Sequence, residues 1–159
     1  MRKILTGAQA IFLFLFFLGQ HVHAEESHWS LNITGVSWHE NQKQRDESSQ
    51  VNPGLGLRYD FTKNWYGEAN YVAKNSLNGT TSTLGGGWHT EVAKISGQPF
   101  LLGGQIMWMD YQAPNRTTTT GFIPALTAEH KITKQVSIVY YLFPQNQHSV
   151  LFIGVNVRL

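Results

Sequence analysis

Leu151, Ile153, Val155, Val157 and Leu159 occupy alternate positions at the end of this chain, and the same alternation recurs along its length. A period of two puts every second side chain on one face of an extended strand, a pattern no helix can satisfy. Alternation with aromatic and β-branched enrichment marks eight candidate strands, near 31–38, 51–61, 65–74, 82–92, 99–109, 120–130, 135–143 and 149–158. The polar breaks after odd-numbered strands (40–50, 75–81, 110–119 and 144–148) are mostly longer than those after even-numbered ones (62–64, 93–98 and 131–134). An even strand count, with short turns at one rim and longer loops at the other, is the rhythm of an outer-membrane barrel. The expected fold is all-β: an eight-stranded antiparallel transmembrane β-barrel.

The start of the chain agrees with that location. Met1-Arg2-Lys3 forms a basic head, Ile11 to Leu18 an apolar run, and Val22-His23-Ala24 a small-residue ending. This is the tripartite pattern of an export signal cleaved after Ala24, and the run is too short to span a bilayer as a helix. The expected organisation is a signal peptide over 1–24 and a single barrel domain over 25–159. Loss of Arg2 and Lys3 leaves ten basic residues against ten acidic ones. A neutral chain offers no electrostatic footprint for nucleic acid. With no cysteine, disulfides and thiolate metal sites are excluded. The expectation is a monomer with no metal site and no cofactor, whose partners are membrane lipids.

One face of the strands reads as lipid-facing: Pro53, Leu55, Leu57, Tyr59 and Phe61 in the second, Val136, Ile138, Tyr140 and Leu142 in the seventh. Trp65, Tyr71, Trp88 and Trp108 lie on that face near strand ends, as an interfacial aromatic girdle requires. The opposite face changes character along the barrel axis. With both termini at the periplasmic rim, the lower interior collects Arg58, Asp60, Glu68, Asn70, His89, Glu91, Glu129, Asn156 and Arg158. The upper interior collects Val36, Trp38, Ile123, Val139, Tyr141, Phe143 and Phe152, with Gly54, Gly56, Gly85, Gly87, Met107 and Met109. Glycine leaves room and methionine adapts to irregular apolar shapes. Either an acyl-chain pocket or ordinary apolar packing satisfies that pattern.

The outer rim gathers the residues able to do chemistry. His39 ends the first strand, Lys74-Asn75-Ser76 the third and Asp110 the fifth, and His148 precedes the eighth. A histidine and a serine at one mouth suit a base–nucleophile pair or a group that positions an acyl carbonyl. Other motifs fail: His39-Glu40 lacks the second histidine of a zinc helix, and Gly85-Gly86-Gly87 lies within a strand, away from any phosphate-binding turn.

Trp38-His39, Asn52-Pro53-Gly54-Leu55-Gly56-Leu57, Lys74-Asn75-Ser76, Gly85-Gly86-Gly87-Trp88, Ile123-Pro124 and Phe143-Pro144 occur in an order that resembles the lipid A palmitoyltransferases of Gram-negative outer membranes. The resemblance covers about residues 33–158 and rests on these short motifs. It implies an outer-membrane enzyme that moves an acyl chain from phospholipid to lipid A. It further implies His39, Asn75 and Ser76 as catalytic residues, with Asn75 standing where the family has aspartate and orienting His39. Gly85, Gly87, Met107, Met109 and Phe152 would line the acyl pocket with Gly87 at its floor, and Pro124 and Pro144 would open lateral gates. The alternative is a noncatalytic small barrel that binds lipid or contributes to surface structure.

Overall fold

The computed structural model describes residues 28–40, 48–114, 118–144 and 149–159. The expected signal segment and His148 lie outside them. Eight strands form a closed antiparallel barrel in sequence order: β1 (Trp29–His39), β2 (Val51–Asp60), β3 (Trp65–Val72), β4 (Thr81–Ile95), β5 (Gln98–Tyr111), β6 (Thr119–Lys131), β7 (Val136–Pro144) and β8 (Ser149–Arg158). β8 returns to pair with β1, from Ser30 opposite Arg158 to His39 opposite Val150. Closure gives every strand a partner on both sides over at least part of its length, which limits the unpaired edge that a strand must avoid in lipid.

Three short turns close one end. In Phe61-Thr62-Lys63-Asn64-Trp65 and Ile132-Thr133-Lys134-Gln135-Val136, the threonine hydroxyl accepts the last two backbone N–H groups of the turn. The same sequence pattern yields the same local bond. At the third turn, Ser96 and Gly97 adopt φ of 52° and 79°, the left-handed pair that a two-residue hairpin needs to match strand twist. β4 and β5 therefore extend further than the break expected over 93–98. The ladder between β3 and β4 ends at Trp65 opposite Trp88, so β4 runs past the rim with only β5 beside it. Glu91, expected inside the barrel, is exposed there for that reason.

The outward face is apolar. Leu55, Leu57, Leu84, Ile106, Phe122 and Leu126 are exposed around it, and Trp29, Trp65, Trp88 and Trp108 stand among them. In water this area would drive aggregation; in a bilayer it is the required surface. No helix among the described residues is long and apolar enough to cross a membrane, and the strands do so instead.

One irregularity reorders the interior. β1 is in even register with β8 and β2 as far as Thr34, and the pairing then shifts before Val36. Against β8, Gly35 is the extra residue of a β-bulge, which reverses side-chain parity for the rest of the strand; against β2 the extra residue lies in β2, between Val51 and Gly54. Val36 and Trp38, expected inside, are 44% and 48% exposed on the lipid face. Ser37 and His39 take the interior positions and are buried.

At the turn end the interior is ionic. The Arg58 guanidinium donates to Asp60 at 2.7 Å and Glu129 at 2.9 Å, and lies 4.0 Å from the Tyr66 ring centroid. Arg158 donates to the other Asp60 oxygen at 3.1 Å. Glu68 accepts from the Tyr141 hydroxyl and the Asn32 amide at 3.2 Å. Buried charge persists only where such partners exist.

Candidate functional site

The site is built at the loop end from β1, β2 and the loop after β3. The bulge at Gly35 turns His39 inward, and the β3–β4 loop carries Ser76 over it. His39 Nε2 and Ser76 Oγ are 3.1 Å apart, and both residues are buried. Ser37 Oγ lies 3.1 Å from Ser76 Oγ. Asn52 joins both serines: its Nδ2 donates to Ser37 Oγ at 2.7 Å and its Oδ1 accepts from Ser76 Oγ at 3.4 Å. Backbone bonds hold these parts in place, with Ser37 N–H donating to Gln50 C=O and Ser49 N–H donating to Ser76 C=O, both at 2.9 Å. His39 and Ser76, singled out from the sequence, are in contact. Ser37 and Asn52 were missed. Strict alternation assigned Ser37 to the lipid face, whereas Asn52 was legible as a polar residue on the inward parity of β2 in an otherwise apolar half.

Asn75 does something other than orient His39. Its Nδ2 donates to Gln112 C=O at 2.6 Å, Thr80 C=O at 2.9 Å and Thr81 Oγ1 at 3.1 Å. Its Oδ1 accepts from the N–H groups of Gly79 at 2.9 Å and Leu77 at 3.0 Å. The side chain is spent on the turn, where Asn78 takes a left-handed φ of 63°, and it positions Ser76 through the backbone. Asp110 is likewise committed to its own rim, accepting from Thr120 and Gln112 at 3.1 Å.

The cluster borders an apolar wall. Across the β1–β8 ladder, Ser37 stands opposite Phe152 and His39 opposite Val150. Phe143 follows, opposite Val150 on the other side of β8 and stacked with Tyr141. Met107 and Met109 face the same interior from β5, paired with Ile123 and Gly121 of β6. Around Gly121 the wall is open, because a Cβ there would meet no atom within 4 Å.

The two glycines expected to give depth do not open space. A Cβ on Gly87 would collide with the Tyr66 ring, and one on Gly85 with Met107 and the Ile106 carbonyl. Tyr66 fills the volume that Gly87 leaves, and its hydroxyl donates to Gln105 at 3.0 Å. The floor of the apolar region therefore stands higher, at Met107 and Gln105. A cleft opens at the opposite, turn end, lined by Ser30, Asp60, Glu129, Asn156 and Arg158 among others, and none of the acyl-pocket candidates lines it.

Pro124 and Pro144 lie where the wall is weakest. The β6–β7 ladder runs from Lys131 opposite Ser137 only as far as Leu126 opposite Leu142. Continued in register, it would set Pro124 opposite Pro144. Proline has no N–H to give to such a ladder, and the loop-end half of β6 pairs with β5 alone. This seam lies between Ile123 and Phe143, so it leads onto the apolar wall. Among the described residues no cluster of histidines and carboxylates is suited to hold a metal ion.

No protein-family profile matches the chain, and no curated protein does. Solved structures do. A de novo designed transmembrane β-barrel superposes with a TM-score of 0.56 at 11% identity, over 85% of this chain and 98% of the other. The N-terminal β-barrel domain of Pseudomonas aeruginosa OprF gives 0.50 at 8% identity, over 85% and 100%. The Yersinia pestis outer membrane protein Ail in a phospholipid bilayer nanodisc gives 0.46 at 12% identity, over 84% and 100%. At these identities the first two likenesses are of fold, and they are to barrels; function rests on the site.

Proposed function

We propose that this protein is an acyltransferase of the Gram-negative outer membrane that moves an acyl chain from a phospholipid to lipid A. The observation that carries the reading is the buried His39–Ser76 contact of 3.1 Å at the loop end, beside an apolar wall. In this reading the loop end faces the outer leaflet. A phospholipid chain enters sideways through the seam between Pro124 and Pro144 and lies against Met109, Ile123, Phe143 and Phe152. Ser76 Oγ attacks the ester carbonyl while His39 Nε2 takes its proton. The C–O bond to the glycerol breaks, and His39 returns the proton to the departing lysophospholipid oxygen. A lipid A hydroxyl then attacks the acyl-serine by the same steps, releasing Ser76 with its proton. Met107, above Tyr66 and Gln105, ends the chain's path, so the acyl group accepted is shorter than a floor at Gly87 would allow.

The experiment is mass spectrometry of lipid A after incubation of the folded barrel with phospholipid vesicles and lipid A. Acylated lipid A from the native protein, and none from His39→Ala or Ser76→Ala at unchanged heat-modifiable mobility, is the expected result. Absence of transfer by the native protein overturns the reading. A second reading, a noncatalytic lipid-binding barrel, is favoured by one observation: Tyr66 occupies the space over Gly87. Lipid binding without transfer in the same assay would select it.

A further inference from the structure

Asn52 is an unusual residue for its place. It is wholly buried, with 0% of its surface exposed, and faces the loop-end interior where Phe143, Phe152, Met107 and Ile123 dominate. An amide there costs free energy unless every polar atom is engaged, and both its Nδ2 and its Oδ1 are. We propose that Asn52 is a positioning residue that fixes the direction of hydrogen bonding through Ser37 and Ser76, so that Ser76 donates its proton to His39 Nε2. The proposal deepens the acyltransferase reading and rests on it for the meaning of the pair.

The direction follows from counting protons. An amide nitrogen only donates, and the Asn52 Nδ2 contact with Ser37 Oγ, at 2.7 Å, is the shortest in the cluster. Ser37 therefore accepts from Asn52 and has one proton of its own, for which Ser76 Oγ at 3.1 Å is the acceptor. Ser76, now an acceptor, also has one proton. Its remaining acceptors are His39 Nε2 at 3.1 Å and Asn52 Oδ1 at 3.4 Å. His39 Nε2, the nearer, takes the main share of it, and Asn52 Oδ1 holds the longer arm of the same three-centre bond. His39 is thus held with Nε2 bare and its ring proton on Nδ1, the tautomer a general base needs toward Ser76. Each hydroxyl is polarised in the same sense, which strengthens the chain along its length.

Asn52→Asp tests the direction with almost no change of shape. A carboxylate only accepts. Ser37 would turn its proton toward it, Ser76 would turn its own toward Ser37 or the carboxylate, and His39 Nε2 would become the donor. Nitrogen-15 NMR of imidazole-labelled protein in detergent micelles at about pH 9, where an ordinary imidazole is neutral, reads the tautomer without substrate. The chain has 7 histidines, so the His39 signals are identified by their loss in His39→Gln. The expected result is a bare Nε2 in the native protein and a protonated Nε2 in Asn52→Asp. Transfer should fall by roughly 10³-fold or more, as for the wrong-tautomer histidine of a serine protease.

Should Asn52→Asp fail to fold, Ser37→Ala serves. It cuts the link and leaves Asn52 Oδ1 to compete for the Ser76 proton, so the Nδ1–H population falls below the native one. An unchanged tautomer in a folded variant, or a protonated Nε2 already in the native protein, overturns the proposal. A tautomer switch with no transfer by the native protein supports the directed chain and overturns the acyltransferase reading alone.

Discussion

Asn75→Asp separates two accounts of the rim. If Asn75 weakly substitutes for an aspartate beside His39, restoring the carboxylate should speed transfer. The structure gives the opposite expectation. Asn75 Nδ2 donates to two backbone carbonyls, those of Gln112 at 2.6 Å and Thr80 at 2.9 Å, from a buried position. In the variant an anionic oxygen faces both carbonyls. Each lost hydrogen bond is worth about 1 kcal/mol. Thr80 C=O still accepts from Gln112 N–H at 2.9 Å, and Gln112 is an exposed residue, so neither carbonyl adds the penalty of a buried acceptor without a donor. The two lost bonds set the expected loss at about 2 kcal/mol of loop stability.

Because the loop carries Ser76, that loss acts on the site. The measurement pairs urea unfolding of the vesicle-folded barrel with hydrogen exchange at the N–H groups of Leu77 and Gly79. Faster exchange there, a lower midpoint and slower transfer are expected together. Acidification returns a proton, and with it a donor, to the introduced carboxyl, so the deficit should narrow as pH falls. A variant as stable as the native protein, with faster transfer, would refute the assignment of Asn75 to the turn.

Three further outcomes follow from the interior. Arg58→Met leaves Glu129 and Asp60 facing each other across a buried gap, and should lower unfolding stability by about 3–5 kcal/mol; a loss under about 1 kcal/mol would show that Arg158 and His89 suffice. Gly87→Ala should cost about 1–3 kcal/mol because the Tyr66 ring must move, whereas Gly121→Ala, with nothing nearby, should stay within about 0.5 kcal/mol; equal effects would contradict the filled floor. Pro124→Ala with Pro144→Ala restores two N–H groups at the β6–β7 seam, and slower acyl transfer with slower backbone exchange there is expected; unchanged transfer would remove the seam as the lipid entrance.

Much of the barrel was legible because a membrane imposes it. Lipid outside and packed side chains inside force a period of two, and β7 obeys it, with Ser137, Val139 and Tyr141 buried between more exposed neighbours; in β8, Val157 has the lipid-facing parity but is buried, at 4% exposure. The ionic turn-end interior was legible for the same reason, since Arg58, Glu68, His89 and Glu129 hold the inward parity. What the pattern could not show is how side chains share space inside. Gly87 reads as a vacancy only until Tyr66, at position 66 of another strand, is seen to lean into it. Asn75 matched a catalytic position by order along the chain, but its partners at 77, 79, 80 and 112 converge only in three dimensions.

The loop-end site shows where a period-two reading must fail. Counting by twos from Asn32 sends Trp38 into the barrel and His39 out to lipid. Such an arrangement would bury a large indole among glycines and leave an imidazole in the interfacial belt. The bulge at Gly35 exchanges the two: Trp38 joins the aromatic girdle at 48% exposure, and His39 reaches Ser76. A Cβ at Gly35 would make only an ordinary contact with the Ile153 carbonyl at 3.5 Å, so crowding at this position does not force the bulge. The two ladders shift in opposite senses there: two residues of β1 face one of β8, from Thr34 opposite Gly154 to Val36 opposite Ile153, whereas three residues of β2 face two of β1, from Gly54 opposite Thr34 to Val51 opposite Val36. Trp38 is thereby delivered to lipid while the ladders below keep their pairing. The same insertion places Ser37 within reach of Asn52 and sets the whole polar cluster inside the apolar half, so the departure from regular strand geometry is what makes a chemical site possible in this barrel.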